Sequence, residues 1–257
     1  MCTLIALHRC VPGAPLVIAA NRDEFLDRPS EGPALRGTIA SPRDVRAGGT
    51  WLGLSRTGVF AAVTNRKGAD PDPERRSRGL LVLDALCAAT ADHAKESLES
   101  LEPEAYNPFN LFVADRKACF LITYDGKARR IDLPPGAHVI GNTDPTAART
   151  PKLAALERQV AGAVAASASS VLAELAGICR GHSLNGDPLA GACVHAGAYG
   201  TRSSTLLFLG EDDEADAFHY ADGPPCCTPY EDFTPLLRDL RCQPGYVGEE
   251  LATRSVS

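Results

Sequence analysis

Short apolar runs closed by turn residues alternate along the chain with longer stretches of helical spacing, and the order of these blocks indicates an architecture. Thr3–His8, Leu16–Asn21, Thr50–Leu54 and Val59–Asn65 are each bounded by Gly, Pro or Ser and read as two antiparallel hairpins. After a charged loop, Lys67–Arg78, the segments Gly79–Ala89 and Asp92–Leu101 carry helical periodicity, with Leu80, Leu83 and Leu86 three residues apart. A second strand set follows at Asn110–Ala114, Cys119–Tyr124, Arg129–Leu133 and His138–Gly141, with Asp125-Gly126 as the turn between the middle two. Pro151 opens an Ala/Leu-rich helix to about Val164, and Ser170–Cys179 supplies another. Thr205–Gly210 and Ala217–Tyr220 form a last hairpin across the acidic loop Glu211–Glu214. Strand and helix blocks segregated in this way predict an α+β fold, antiparallel sheets with helices packed on them, rather than a parallel βαβ sheet.

Composition narrows the function classes. The 257 residues, 44% apolar and 23% charged, suit one globular domain spanning 1–257, with no internal repeat and low complexity confined to Ala161–Ser170. A net charge of −6 gives no global positive field for a phosphate backbone, which argues against nucleic acid. No window approaches the ~20 apolar residues of a membrane span. The apolar run Pro15–Ala20 lacks a basic leader and follows His8 and Arg9, so it reads as mature structure rather than a secretory signal. Nine cysteines form an odd set without a C-x-x-C pair, which favours reduced thiols in the cytoplasm over disulfides or a metal site. Adjacent Cys226-Cys227 is the unusual feature of that set, read as passive thiols.

The chemistry concentrates at the amino end. Removal of Met1 would put a thiol and a free α-amine on Cys2, and an amine with a pKa of ~8 takes a thiol proton near neutral pH. Alternatively, Cys2 is merely the second residue of a buried strand. A hairpin turning at Pro12-Gly13 places Cys2 opposite Asp23, with Asn21 and Arg22 beside it. A guanidinium near a thiol favours thiolate and a carboxylate orients an amine, although Asn21-Arg22-Asp23-Glu24 could equally be a solvated turn. Gly48-Gly49-Thr50-Trp51-Leu52-Gly53 suggests a tight strand crossing or pocket wall, with Trp51 against ligand or in the core. Asn65 and Asn142 each end an apolar strand, as oxyanion donors or turn residues. Tyr199 and Arg202 stand among hydroxyl residues at the entrance to another strand, where they bind an anion or brace the site.

Together Cys2, Ala20-Asn21-Arg22-Asp23-Glu24, the Gly48–Gly53 string, Thr64-Asn65, Gly141-Asn142 and Tyr199–Thr205 resemble the NRDE family, which includes the transport and Golgi organisation protein 2 homologues. More distantly the pattern is similar to choloylglycine hydrolases and penicillin V acylases. The resemblance implies an N-terminal-nucleophile hydrolase fold, an αββα sandwich of two antiparallel sheets between helical layers. By the same resemblance, Cys2, Arg22, Asp23, Asn65, Asn142 and Arg202 are catalytic, while Asn21, Trp51 and Tyr199 contact substrate. Arg22 and Asp23 are adjacent, so on a regular strand they point to opposite faces. The expected activity is hydrolysis of a small linear amide with no cofactor or metal. The alternative is a non-catalytic haem or acyl-CoA/lipid carrier using the same cleft, in which Arg22 and Arg202 hold anionic groups and His8, His138, His195 or a cysteine ligates haem.

Overall fold

The computed structural model describes residues 2–67, 71–164, 170–183 and 186–242. Met1, whose removal the expected role of Cys2 requires, lies outside them, as do parts of the Lys67–Arg78 loop and of the Ala161–Ser170 stretch. In chain order the first strands are β1 (Thr3–Val11), β2 (Ala14–Phe25), β3 (Ser30–Arg36), β4 (Ile39–Asp44), β5 (Leu52–Ser55) and β6 (Phe60–Asn65). Helices α1 (Arg78–Leu86) and α2 (Ala91–Glu99) precede β7 (Phe109–Ala114), β8 (Cys119–Tyr124), β9 (Ala128–Asp132) and β10 (Gly136–Ile140). Then come α3 (Pro151–Val164), α4 (Val171–Arg180), β11 (His195–Ala196), β12 (Tyr199–Leu209), β13 (Ala217–Ala221), β14 (Glu231–Asp232) and α5 (Thr234–Cys242).

These strands make two seven-stranded antiparallel sheets. One runs β10-β1-β2-β12-β13-β14 with β11 beside β12, and the other runs β3 to β9 in sequence order. Alternate residues of β1 and β2 serve two cores. Leu4, Ala6, Leu16, Ile18 and Ala20 meet Leu52, Phe60, Ala62, Phe112 and Leu121 of the second sheet. Ile5, Leu7, Val17 and Ala19 face Leu153, Leu156 and Val160 of α3 and Val171 and Leu175 of α4. On the outer face of the second sheet, Ala61, Val63, Leu111 and Ile122 pack on α1 and α2. This is the expected αββα sandwich. Because both faces of the inner strands are covered, β7 and β8 are buried at every position and read as continuous apolar runs rather than alternating ones.

Three expectations needed correction. β3 and β4 fall where no strand was expected, since Pro33, Pro42 and several charges mask the pattern. The carboxyl-terminal α5 was likewise not expected. It lays Leu237 and Leu240 into the core between the sheets. The third concerns register. Val11 faces Ala14 at the turn, as a Pro12-Gly13 loop requires, but the register shifts between His8 and Val11, where Arg9 takes a φ of 51°. Beyond this bulge Leu4 faces Ala20 and Thr3 faces Asn21, so Cys2 is level with Arg22 rather than Asp23.

Candidate functional site

Cys2 lies just before β1, where the amino end of that strand meets the ends of β2, β6 and β10 and the start of β12. It is half-buried and its thiol reaches the Asp23 carbonyl at 3.8 Å. It lines three adjoining cavities. A small one contains Asp23, Asn65, Arg66, Lys67, Asn142 and Tyr199. A second, towards the sheet interface, contains Asn21, Arg22 and Trp51. The third, of about 280 Å³, is walled by Lys67, Asn142, Thr143, Lys152, Leu153, Asp187 and Leu189.

Arg22 and Asp23 obey strand alternation and leave β2 on opposite faces. The Arg22 guanidinium turns to the sheet interface, 4.0 Å from the Trp51 ring centroid, and donates to Asp44 at 3.3 Å. Asp23 turns towards the helical side, where its Oδ1 accepts from the Thr201 hydroxyl at 2.7 Å. A register shift between Thr201 and Ser203 in β12 sets Thr201 opposite Asp23 and Ser203 opposite Arg22. The residue between them, Arg202, pairs with Asp222 at 2.9 Å and lines none of the three cavities with Cys2.

The two asparagines do meet at Cys2. The Asn142 amide donates to the Asn65 carbonyl, and the Asn142 carbonyl accepts from the Lys67 amide at 2.8 Å. The second sheet fixes this turn, because the Thr64 hydroxyl and the Asn110 amide both donate to the Gly141 carbonyl, at 2.7 and 3.1 Å, and Asn110 also donates to the Thr143 carbonyl at 2.9 Å. Tyr199 reaches the site through its hydroxyl, which donates to the Asp23 carbonyl at 3.0 Å. Asn21 differs. Its amide donates to the carbonyls of Cys179 and Ala192, each at 2.9 Å, and its Oδ1 accepts from Ser204 at 2.6 Å. It is 2% exposed, so it ties β2 to α4 and to the segment before β11 rather than presenting its amide to a substrate. Gly49 explains the glycine string: a Cβ there would lie 2.3 Å from the Gly79 carbonyl carbon, which makes the motif a close backbone crossing onto α1.

Electrostatics at the site set opposing demands. Burial pushes the Cys2 thiol up, Asp23 pushes in the same direction, and Arg22 pulls it down. Burial also raises Asp23, against the pull of Lys152 and the Thr201 hydroxyl. Lys152 is the feature the sequence did not announce. On α3 it looks like a surface lysine, yet its ammonium is buried with no hydrogen-bond partner among the described residues, depressed by desolvation and facing Asp23 and Cys2. His8, His138 and His195 do not line the cavities that Cys2 lines. His195 instead converges with His182, Cys193 and Cys226, a group of soft ligands assembled from three separated segments.

The family described as Transport and Golgi organisation 2 matches over residues 1–219. The Transport and Golgi organization 2 homolog of Mus musculus is 36% identical, and the human homolog 37% identical, over 138 residues. That alignment takes in 49% of this chain and 50% of each relative, so the chain spans about half the length of the curated relatives it matches. Among solved structures, the Caenorhabditis elegans ortholog of N-acylethanolamine-hydrolyzing acid amidase superposes with a TM-score of 0.58 at 13% identity, covering 80% of this chain and 92% of that one. The C2A mutant of conjugated bile acid hydrolase from Clostridium perfringens gives 0.55 at 11% identity, covering 91% and 93%. Penicillin V acylase from Agrobacterium tumefaciens gives 0.52 at 16%, covering 95% and 89%.

Proposed function

Because the chain belongs to the Transport and Golgi organisation 2 family and has the fold of N-terminal-nucleophile hydrolases, we propose that it is an N-terminal-cysteine amidohydrolase cleaving a carbon–nitrogen bond in a small linear amide. The observation that carries the reading is the convergence of Cys2, Asp23, Asn65, Asn142 and Tyr199 on one cavity. Once Met1 is removed, the α-amine of Cys2 takes the thiol proton and the sulfur attacks the amide carbonyl carbon. The oxyanion is stabilised by amide N–H groups of Asn65 and Asn142. The ammonium returns its proton to the departing amine as the C–N bond breaks, leaving a thioester on Cys2. Water, deprotonated by the same amine, hydrolyses that thioester and regenerates the thiol. Asp23 orients the amine, and Arg22, held by Trp51 and Asp44, opposes part of the upward push that burial exerts on the thiol.

A binding function in the same cleft is the second reading, and Lys67 and Lys152 on the wall of the larger cavity favour it, as cations for a carboxylate or phosphate. Arg22 and Arg202 are poorer cations for that purpose, since each is committed to a carboxylate of its own. The test begins with intact mass, which shows whether the chain starts at Cys2. Purified protein is then treated with an activated ester. A mass increase of one acyl group that is absent in Cys2→Ala supports hydrolysis. Acylation that persists in Cys2→Ala, or a retained Met1, removes the hydrolytic mechanism, and acyl-CoA or haem binding by the same variant then identifies a carrier.

A further inference from the structure

Beside the first sheet, and outside the cavities that Cys2 lines, His182, Cys193, His195 and Cys226 bring their ligand atoms within 4.8 Å of one another. The separations among Cys193, His195 and Cys226 are close to the edges of a tetrahedron. The two sulfurs are 3.6 Å apart, and the His195 Nε2 lies 3.2 Å from the Cys226 sulfur and 3.7 Å from the Cys193 sulfur. A tetrahedral zinc ion, with bonds of about 2.3 Å to sulfur and about 2.0 Å to nitrogen, sets two sulfurs about 3.8 Å apart, sulfur and nitrogen about 3.5 Å apart and two nitrogens about 3.3 Å apart, so each of these separations is within about 0.4 Å of the requirement. The His182 ring completes the set, its centroid 5.2 Å from that of His195. We propose that these four side chains bind one zinc-class divalent cation in a closed Cys₂His₂ site.

Three features support a metal site over coincidental packing. The first is the ligand chemistry: two thiolates and two imidazoles are the soft and borderline donors that select zinc among common divalent ions. The second is preorganisation, since hydrogen bonds to main-chain carbonyls set the three segments without any help from the cluster. The Cys193 amide donates to the Gly181 carbonyl at 2.9 Å, the Thr201 amide to the Val194 carbonyl at 2.9 Å, and the Arg180 guanidinium to the Pro225 carbonyl at 3.2 Å. The third is access, because His182, His195 and Cys226 are exposed and an ion can enter from solvent. Binding releases two thiol protons to solvent and forms two metal–sulfur bonds, with no redox partner required. With four protein ligands and no open position, the ion is structural. His182 and Cys193 lie on either side, along the chain, of Asp187, Leu189 and Ala190, which line the larger cavity beside Cys2. The ion therefore fixes one wall of that cavity, and the site stands independently of whether Cys2 turns over a substrate.

Cobalt(II) is the probe. Full-length protein is reduced, stripped with a chelator and titrated with cobalt(II), then zinc(II). One cobalt per chain is expected, with the intense d–d absorption of tetrahedral geometry and a thiolate-to-cobalt charge-transfer band, both lost when zinc is added. Cys193→Ser and Cys226→Ser each weaken the charge-transfer band, and His182→Ala, at an exposed side chain where folding is not at risk, lowers the affinity at least tenfold. At the same zinc concentration the melting temperature rises less for His182→Ala than for the wild type. No stoichiometric cobalt in the reduced protein, an octahedral spectrum, or a charge-transfer band undiminished in both serine variants overturns the proposal.

Discussion

Asp23 shows how one side chain serves two requirements that oppose each other. Its carboxylate disfavours the Cys2 thiolate, while in the proposed mechanism the same group, fixed by its bond from Thr201, orients the terminal amine. Asp23→Asn removes the negative charge, so the thiol titrates lower; the pH midpoint of iodoacetamide labelling at Cys2 is expected to fall by roughly one unit. A midpoint that stays or rises would show that the carboxylate does not act on the sulfur. The same substitution has a signature in stability. Burial raises Asp23 above its ordinary value of 3.8, so the folded state holds this proton more tightly than the unfolded one. Its contribution is fully present below that value and is lost as pH rises through the folded-state pKa. Between acid and neutral pH, the unfolding free energy of Asp23→Asn therefore improves relative to wild type, as denaturant titrations at several pH values would record.

At the level of elements, the glycine string and α1 form a joint whose two sides differ in tolerance. A Cβ on Gly49 meets Gly79 backbone atoms at 2.3 and 2.7 Å, whereas one on Gly79 meets the Thr50 carbonyl oxygen at 3.0 Å. Gly49→Ala is expected to destabilise by about 2–3 kcal/mol, because backbone must move. Gly79→Ala stays within ~1 kcal/mol of wild type, since a modest contact is offset by better helix propensity. Urea midpoints of the two variants settle the comparison. The joint was legible because glycine spacing is a local signal. So were β7, β8 and α3, whose apolar patterns are unbroken. The β1–β2 register was not, since the bulge near Arg9 arises from a backbone conformation that no neighbouring residue type announces. Lys152 escaped for a related reason: its surroundings come from β2 and the amino end, not from its own helix. The His182, Cys193, His195 and Cys226 group needs three loops brought together, and spacing along the chain carries no trace of that.

Over the whole molecule, the site and a charged tie occupy opposite ends of the sandwich. Thr201, bonded to Asp23, and Gly210, whose amide donates to Asp216 at 2.8 Å, lie nine residues apart along β12, about 30 Å of extended chain. At that far end the buried Asp216 binds Arg241 of α5 and Arg116 of the β7–β8 turn, so one carboxylate joins both sheets and the last helix. Burial raises Asp216 while the two arginines pull it down, which means that its partners, not solvent, carry its charge. Removing it leaves both arginines with Asp213 as their remaining carboxylate and the buried Gly210 amide without its acceptor. Asp216→Ala is expected to destabilise by about 2 kcal/mol. Asp213, half exposed beside the same arginines, contributes under ~1 kcal/mol when replaced by alanine. Because Asp216 is remote from Cys2, its variant should label with iodoacetamide at the wild-type rate below its own melting transition. Slower or faster labelling under those conditions would mean that the tie governs the position of β2 and β12 at the site, and that the sandwich transmits strain along its full length.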